Sequence, residues 1–312
     1  MKVAFVFPGQ GSQYPGMGKE LYEKYPEAKQ VFDKASDVLG FSIKDKCFEG
    51  DADELKKTEI TQPAILTTSI AAFEVLKKRF PNFKAVAGHS LGEYSALYAS
   101  GALDLESVIK LVQKRGEAMS KVSGGVLAAL IGKDFSKVED LCEESGYVIS
   151  IYNSPKQVIL AGEEDKFDDL SAKVKDYGIR KARKLKVSGP FHSYLMKPAA
   201  DEFAFSVETV NVNKPNIPVY MNVTAKSEED ANTIKKNMVD QVNKTVKWKH
   251  QIEKMIEDGF DTFIELGPGK VLCGIISAIN PDVKVMGVEK PEELEEILNN
   301  ISQKDQEEMY AS

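Results

Sequence analysis

The segment Lys84-Ala85-Val86-Ala87-Gly88-His89-Ser90-Leu91-Gly92 joins a short apolar run to a serine that lies between two glycines. The run predicts a buried strand over 84–87, and helices are predicted over about 91–100 and 104–121. In this context Gly88-His89-Ser90-Leu91-Gly92 fits the G-x-S-x-G nucleophile elbow. The glycines permit a strained turn that lifts the Ser90 hydroxyl off the sheet, towards the free N–H groups of the next helix. The alternative is a tight strand–helix turn with a capping serine.

The same rhythm of strand, turn and helix continues on both sides of the elbow. A strand is predicted over 2–7, then a Gly-rich loop over 8–18 and helices over 19–39 and 62–80, the second opened by Thr61-Gln62-Pro63. Such alternation is typical of a parallel sheet covered by helices. The later part of the chain predicts strands over 217–222, 261–265 and 283–287, and helices over 193–207, 230–242, 248–257, 270–279 and 291–302.

Between these parts, residues 124–186 follow a different order. Strands are predicted over 125–131, 147–152, 157–161 and 179–187, and helices over 134–144 and 164–177. The order βαββαβ is the ferredoxin-like pattern. We therefore predict an α/β fold in which residues 1–122 and 190–312 form a large parallel-sheet domain, and residues 123–189 form an inserted ferredoxin-like subdomain.

Composition excludes several function classes. The 312 residues include 41 Lys and Arg against 48 Asp and Glu, a net charge of −7, which argues against a nucleic acid partner. The longest apolar run, over 126–131, is far too short to span a membrane. The three cysteines are widely scattered and indicate neither a disulfide framework nor a metal site. With no signal peptide recognised at the N-terminus, a cytoplasmic location is expected.

A serine nucleophile needs a base, and the chain has three histidines. His89 adjoins Ser90, so its side chain is expected to point away from the hydroxyl and to pack beneath the elbow. His250 begins an amphipathic helix and is expected to be a solvated helix residue. His192 lies in the loop Ser188-Gly189-Pro190-Phe191-His192-Ser193, and loops held by rigid elements are where catalytic groups collect. We therefore predict His192, rather than His250, as the general base.

Neither of two further Gly-rich loops predicts a nucleotide site. Gly9-Gln10-Gly11-Ser12-Gln13-Tyr14 has a tyrosine where a dinucleotide site has its third glycine, and Gly269-Lys270-Val271 lacks the Ser or Thr of a phosphate loop. The first loop follows the first strand, so it is expected beside the elbow. There its backbone N–H groups could supply half of an oxyanion hole.

Six segments in one order resemble the malonyl-CoA:acyl-carrier-protein transacylases, the malonyltransferases of type II fatty acid synthesis. The resemblance spans residues 2 to about 288 and implies an α/β-hydrolase-like domain with a ferredoxin-like insertion, as the element order also predicts. The six segments are Phe7-Pro8-Gly9-Gln10-Gly11-Ser12-Gln13, Thr61-Gln62-Pro63-Ala64, Gly88-His89-Ser90-Leu91-Gly92-Glu93-Tyr94, Arg115-Gly116, Gly189-Pro190-Phe191-His192-Ser193 with Leu195-Met196, and Glu265-Leu266-Gly267-Pro268-Gly269.

The resemblance implies a role for each matching residue. Ser90 would be the nucleophile and His192 its base. The backbone N–H groups of Gln10 and Leu91 would stabilise the oxyanion. Arg115 would hold the malonyl carboxylate, for which the guanidinium fork is suited.

Two further positions follow from the resemblance. The family orients its histidine by a backbone carbonyl near a Pro-Val-Gln-Trp segment, which is Thr245-Val246-Lys247-Trp248 here, so Lys247 would provide that carbonyl. Gln62 resembles a pocket residue of the family, although it reads equally well as a residue at the start of a helix.

The implied reaction is a ping-pong transfer from malonyl-CoA to the phosphopantetheine thiol of acyl carrier protein, with no metal or redox cofactor. Because such carriers are acidic, the basic run Lys173 to Lys186 is a candidate docking surface; alternatively, its lysines only protect an edge strand. The basic run comprises Lys173, Lys175, Arg180, Lys181, Arg183, Lys184 and Lys186.

Three rival functions remain open. An α/β-hydrolase would need an acidic residue between Ser90 and His192 in chain order, but a hydrolase of neutral esters has no use for a buried Arg115. A non-catalytic binding module would not need these groups together. A transferase of another acyl group is the third rival, against which Phe191 before His192 favours malonyl. The acidic residues available to a hydrolase are Asp134, Asp140, Asp165, Asp168 and Asp169.

Overall fold

The computed structural model describes residues 1–187 and 189–299. Its strands are β1 (Val3–Phe7), β2 (Ala85–Gly88), β3 (Gly125–Ile131), β4 (Val148–Ser154), β5 (Gln157–Glu163), β6 (Lys181–Lys184), β7 (Val219–Met221), β8 (Lys226–Glu228), β9 (Thr262–Leu266) and β10 (Lys284–Val288). Its helices are α1 (Lys19–Lys24), α2 (Pro26–Leu39), α3 (Ile43–Phe48), α4 (Thr58–Lys77), α5 (Gly92–Ala99), α6 (Leu105–Ser120), α7 (Val138–Ser145), α8 (Phe167–Lys173), α9 (Lys197–Thr209), α10 (Ala231–Asn243), α11 (Trp248–Glu257) and α12 (Val271–Ile279).

The large sheet has the strand order β10-β9-β1-β2-β7-β8. Its first five strands pair in parallel, and β8 is added antiparallel at the edge. β1 and β2 are buried along their whole length, as expected for parallel strands that are covered on both faces. Because β1 and β2 run in the same direction, the loops that follow Phe7 and Gly88 meet at one edge of the sheet.

The small sheet has the order β4-β5-β3-β6 and is antiparallel throughout. Side chains of β3 alternate between its two faces: Ala128 and Leu130 pack in a cluster with α7 and α8, and Leu127 and Ala129 join the main core. The element order from β3 to β6 is βαββαβ. The predicted fold class is therefore confirmed, while the exact domain boundaries at 122/123 and 189/190 stay a prediction.

Some predicted elements differ from the observed ones. The helix predicted over 19–39 is two helices, because Tyr25 precedes Pro26 and takes an extended conformation with φ −122° and ψ 124°. α3 and β8 were not predicted, because both are too short to show a hydrophobic period. Residues 291–299 are helical as predicted, and the rest of that predicted helix lies outside the described residues.

The helix predicted to open at Thr61-Gln62-Pro63 begins earlier, at Thr58. Thr61 does not cap it: its N–H donates to the Lys57 carbonyl at 2.7 Å, and its hydroxyl donates to the Leu55 carbonyl. Pro63 therefore lies inside α4, where it removes one backbone hydrogen bond from a helix whose first turn is already formed. This start places Gln62 on a buried turn of the helix.

Neither a bilayer-spanning helix nor a metal cluster is found in the parts of the chain that the structure describes. None of the helices there has the length and apolar content needed to cross a membrane. Nor do the His, Cys, Asp and Glu side chains of residues 1–187 and 189–299 form a group of three or more that could hold a metal ion.

Candidate active site

Ser90 lies in the turn between β2 and α5 with a backbone φ of 52°. This left-handed conformation is rare for a residue with a side chain and marks a strained turn. The flanking glycines make the turn possible: a Cβ at Gly88 would overlap the Gly92 carbonyl group, and a Cβ at Gly92 would overlap the carbonyl of Phe7. The sequence pattern thus has the steric basis that a nucleophile elbow requires.

His192 lies against the Ser90 hydroxyl, with its Nε2 2.7 Å from Oγ. Its Nδ1 is 2.6 Å from the backbone carbonyl of Gln241. Because a carbonyl can only accept, Nδ1 carries the proton and Nε2 is free to accept the serine proton. Burial, and secondly the positive charge of Arg115, lower the pKa of His192 to about 3, so the imidazole stays neutral at physiological pH.

The prediction that Lys247 supplies the orienting carbonyl is wrong. The Lys247 carbonyl accepts the N–H of Gln251 in the first turn of α11, and its side chain is exposed. The carbonyl comes from Gln241, two residues before α10 ends at Asn243. The last four carbonyls of a helix have no partner within it, so one of them can accept from His192. The predicted helix end at 242 was the available signal for this role.

Arg115 is fully buried, and amide side chains hold it from two sides. Its Nη1 donates to Gln62 Oε1 at 2.7 Å, and its Nη2 donates to Gln241 Oε1 at 2.8 Å. Nη2 also lies 3.3 Å from Ser90 Oγ. The guanidinium carbon is 5.3 Å from the centre of the Tyr94 ring. Gln62 therefore acts on the site by holding Arg115, a contact that its position near a helix start did not predict.

Within residues 1–187 and 189–299, no carboxylate lies within 4 Å of the Arg115 guanidinium. Glu93 is buried nearby, but its Oε2 accepts the backbone N–H of Asn222 at 2.6 Å instead. Burial raises the pKa of Glu93 to about 8, so its carboxyl is largely protonated at neutral pH. Arg115 thus brings a positive charge to the nucleophile without a paired anion.

A cavity of about 180 Å³ opens onto this group of residues. Gln10 and Leu91 line it together with Ser90, His192 and Arg115, as expected for loops at one edge of the large sheet. The walls are apolar and come from the small sheet, from the segment after β6 and from α12. They comprise Leu127, Ile151, Ile159, Leu185, Val187, Val271, Leu272 and Ile275.

The other two histidines lie where the sequence predicted. His89 is half-buried beside the elbow, where Nε2 lies 3.0 Å from Asn153 Oδ1 and the ring packs edge-on against Trp248. Burial lowers its pKa to about 4. His250 is exposed on α11, with its ring edge against Tyr152.

The acidic residues that a hydrolase triad would need are exposed. They lie in and around α7 and α8, and the Gln241 carbonyl already occupies the position against His192 Nδ1 that a triad carboxylate would take. The exposed residues are Asp134, Asp140, Asp165, Asp168 and Asp169.

Comparison with known proteins agrees with this geometry. Residues 4–294 match the acyl transferase domain family. The malonyl CoA-acyl carrier protein transacylase of Bacillus subtilis is 42% identical over 302 residues, which cover 94% of this chain and 95% of that protein. The enzyme of the same name from Haemophilus influenzae is also 42% identical, over 92% and 95% of the two chains.

Solved structures give the same result. The malonyl CoA-acyl carrier protein transacylase from Clostridium perfringens superposes with a TM-score of 0.94 at 38% identity, over the full length of both chains. A type II PKS acyl-carrier protein in complex with its malonyl-transacylase matches with a TM-score of 0.92 at 37% identity, over 96% of this chain and 100% of that one. The chain therefore belongs to the acyl transferase domain family, among the malonyl CoA-acyl carrier protein transacylases.

Proposed function

We propose that the protein transfers the malonyl group of malonyl-CoA to the phosphopantetheine thiol of acyl carrier protein, and so supplies malonyl-carrier for fatty acid synthesis. The observation that carries the proposal is the buried Arg115 beside Ser90. A buried cation without a paired anion is unfavourable, and a substrate carboxylate is the group that would compensate it. The relatives that are named for malonyl transfer support the same conclusion.

Acylation begins at Ser90. Its Oγ attacks the thioester carbonyl of malonyl-CoA while His192 Nε2 takes the hydroxyl proton, and the carbonyl oxygen becomes an oxyanion. The backbone N–H groups of Gln10 and Leu91 are proposed to stabilise that charge. The C–S bond then breaks, His192 returns the proton to the leaving CoA sulfur, and a malonyl-serine ester remains.

Deacylation repeats these steps in reverse with the carrier thiol. His192 takes the thiol proton, the sulfur attacks the ester carbonyl, and the C–O bond to Ser90 breaks as its Oγ regains the proton. Oxidation states do not change in either half-reaction, so the proposed mechanism needs no redox cofactor. It also assigns no step to a metal, because His192 moves the proton and backbone N–H groups stabilise the oxyanion. The apolar cavity walls favour transfer over hydrolysis, because they disfavour water near the ester.

Intact-mass measurement after incubation with malonyl-CoA tests this function. We expect a malonyl adduct on wild type that discharges when holo carrier protein is added, and no adduct on Ser90→Ala. Loss of a general base slows acylation by a factor of about 10² to 10⁴, and we expect such a loss for His192→Ala. His250→Ala is the matched control and should acylate at close to the wild-type rate. An adduct on Ser90→Ala, or an ester that hydrolyses as fast as it forms, would contradict the proposal.

We also propose that the basic run Lys173 to Lys186 binds the acidic carrier. Lys173 pairs with Glu144 and Asp169, and Lys184 pairs with Glu164. Arg183 and Lys181 are exposed and lie opposite Ala129 and Ile131 in the β3–β6 pairing. Strand alternation therefore puts them on the sheet face that also carries the cavity-lining Leu185 and Val187. Charge on this face suits a partner that must deliver its phosphopantetheine arm into the cavity.

Charge reversal tests the docking proposal. Lys181→Glu together with Arg183→Glu should raise the KM for carrier protein and leave the KM for malonyl-CoA unchanged. The effect should shrink as salt is added, because exposed charges are screened over about 8 Å at physiological ionic strength. Lys77→Glu with Lys78→Glu is the control, since both lysines are exposed at the end of α4, which precedes the start of β2, whereas the elbow follows the end of that strand. Equal effects on the two substrates would assign the basic run a structural role.

A further inference from the structure

Asn222 is fully buried directly after β7, and its carboxamide spans the elbow. Its Oδ1 accepts the N–H of Ser90 at 2.8 Å, and its Nδ2 donates to the carbonyl of Gly88 at 2.7 Å. The Asn222 backbone is fixed as well, because its N–H donates to Glu93 Oε2 and its carbonyl accepts the N–H of Lys247 at 2.9 Å. One side chain therefore holds both sides of the strained turn.

The same carboxamide also contacts two buried glutamines. Gln241 Nε2 donates to Asn222 Oδ1 at 3.1 Å and to the Ser90 carbonyl at 2.8 Å. Asn222 Nδ2 donates to Gln251 Oε1 at 2.8 Å, and Gln251 Nε2 donates to the Tyr220 carbonyl at 2.9 Å. Each amide thus uses its oxygen as an acceptor and its nitrogen as a donor.

Backbone groups fix the polarity of this network. The Ser90 N–H can only donate and the Gly88 carbonyl can only accept, so the Asn222 amide has one orientation. Asn222 Oδ1 and the Ser90 carbonyl then both require a donor from Gln241. The Gln241 amide must therefore turn its nitrogen towards these two acceptors. Its oxygen then points towards Arg115, whose guanidinium carries only donors and so requires an acceptor.

We propose that Asn222 is a positioning residue for acyl-group selection: it fixes the orientation of the Gln241 amide and, through it, the Arg115 guanidinium that receives the substrate carboxylate. Without Asn222, the Gln241 NH₂ group keeps only one of its two acceptors, the Ser90 carbonyl. That carbonyl belongs to the turn that Asn222 itself holds, so the Gln241 amide is fixed less firmly against the guanidinium. The inference rests on the proposed function, because it takes the malonyl carboxylate as the ligand of Arg115. Asn222 reaches the substrate only through other residues.

The test compares kcat/KM for malonyl-CoA with kcat/KM for acetyl-CoA. Both substrates need the elbow, and only malonyl needs the guanidinium. A residue that merely supports the fold would lower the two values by the same factor. We expect Asn222→Ala to lower the malonyl value by about tenfold more than the acetyl value, the size expected when a buried polar group loses its partner.

Asn222→Leu is the second variant, should Asn222→Ala fold poorly. Leucine is branched at the same carbon as asparagine but can neither accept from Gln241 and Ser90 nor donate to Gly88, and it adds no charge near Arg115. We expect the same loss of malonyl preference. Asn237→Ala is the matched control, because Asn237 is likewise a buried asparagine but lies on α10 and donates to the sulfur of Met221. It should keep the malonyl preference.

A double variant tests whether the effect passes through Gln241. If it does, Asn222→Ala together with Gln241→Ala should lose no more malonyl preference than Gln241→Ala alone. Additive losses, or equal losses for both substrates in either Asn222 variant, would overturn the inference. A wild type that does not distinguish malonyl-CoA from acetyl-CoA would instead overturn the proposed function.

Discussion

At the scale of single residues, the proposed function assigns the choice of acyl group to Arg115. Its partners Gln62 and Gln241 are neutral amides, which orient the guanidinium without neutralising it. A carboxylate in place of either amide would form an ion pair with the guanidinium, and a substrate carboxylate would then add no further charge neutralisation. Burial disfavours the charge and lowers the Arg115 pKa, and under the proposed function an anionic acyl group offsets this cost when it binds.

We therefore predict that Arg115→Ala lowers kcat/KM for malonyl-CoA by about 100-fold or more, because breaking a buried charge pair on one side costs about 2–5 kcal/mol. The value for acetyl-CoA should stay the same or rise, since a neutral acyl chain no longer desolvates a cation. The kcat/KM of Arg115→Lys for malonyl-CoA should lie between the values of wild type and Arg115→Ala. Lysine keeps the positive charge but lacks the paired N–H groups with which a guanidinium binds a carboxylate. Steady-state kinetics with both thioesters measure this. A parallel fall for both substrates would mean that Arg115 is structural.

The sequence predicted which side chains meet at the elbow in two ways: local patterns indicated Ser90 and His192, and the family resemblance indicated Arg115. Ser90, His192 and Arg115 lie within hydrogen-bonding distance in the positions that their segments indicated. The roles of Gln241 and Asn222 were not predicted. A buried amide acts through the direction in which its oxygen and nitrogen point, and that direction is set by neighbours that are far away in the chain. The error at Lys247 has the same cause: whether a given carbonyl reaches His192 depends on how α10 ends, not on which side chain it carries.

At the scale of elements, Glu265 connects β9 to the wall of the cavity. Its buried carboxyl accepts the N–H groups of Leu272 and Cys273 at 3.1 and 2.8 Å. These belong to the first turn of α12, whose N–H groups have no partner within the helix. Val271, Leu272 and Ile275 of this helix line the cavity. Glu265 thus fixes the start of the helix that forms one wall of the site.

We predict that Glu265→Ala lowers the free energy of unfolding by about 1–3 kcal/mol, the penalty for a buried donor left without a partner. It should also raise the KM for malonyl-CoA, because the cavity wall moves, and Glu265→Gln should have the smaller effect of the two. Chemical denaturation and steady-state kinetics give both values. Glu106→Ala is the control: Glu106 lies in the first turn of α6 and pairs with exposed lysines, which contributes about 1 kcal/mol at most. Equal effects of the two alanine variants would refute the role assigned to Glu265.

The order of elements was predictable because the hydrophobic pattern of each segment, a helical period or a short apolar run, indicates its type. β3 is an apolar run because both of its faces are covered, and its predicted bounds match those observed. β6 is shorter than the predicted 179–187, since only Lys181 to Lys184 pair with β3, and single hydrogen bonds from the N–H groups of Arg180 and Leu185 flank this pairing. Where an element ends was less predictable than its presence, because hydrogen-bonding partners distant in sequence decide it.

At the scale of the whole molecule, the site exists because the small sheet is fixed against the large domain. Val246 pairs with β4 in an isolated parallel bridge: its N–H donates to the Ser150 carbonyl at 2.9 Å, and its carbonyl accepts the N–H of Tyr152 at 3.0 Å. The Ser150 hydroxyl donates to the Phe191 carbonyl at 2.8 Å. These contacts set the position of the loop that carries His192. No local pattern in the sequence predicts a bridge between residues so far apart in the chain.

His89 is a second connection of this kind, because it belongs to the elbow and hydrogen-bonds to Asn153 in β4. In the folded protein burial lowers its pKa from 6.5 to about 4. The unfolded chain therefore takes up a proton below about pH 6.5 that the folded protein does not accept, so stability is lost as the pH falls from 6.5 towards 4. The titration of His192 and Glu93 also makes the free energy of unfolding depend on pH. Wild type and a His89 variant both retain these residues, so their contribution cancels in the stability difference between the two proteins.

We predict that the stability difference between wild type and His89→Gln depends on pH. Glutamine can still donate to Asn153 but does not titrate. At neutral pH the variant should be the less stable, because the packing against Trp248 is lost. Between about pH 7 and about pH 4.5 the difference should shift by about 2 kcal/mol in favour of the variant. Urea unfolding of both proteins at each pH measures this, and His250→Gln, on an exposed face, should show a much smaller shift. A difference that stays constant with pH would mean that His89 does not remain neutral in the fold, and that the junction between the elbow and the small sheet does not depend on an uncharged ring.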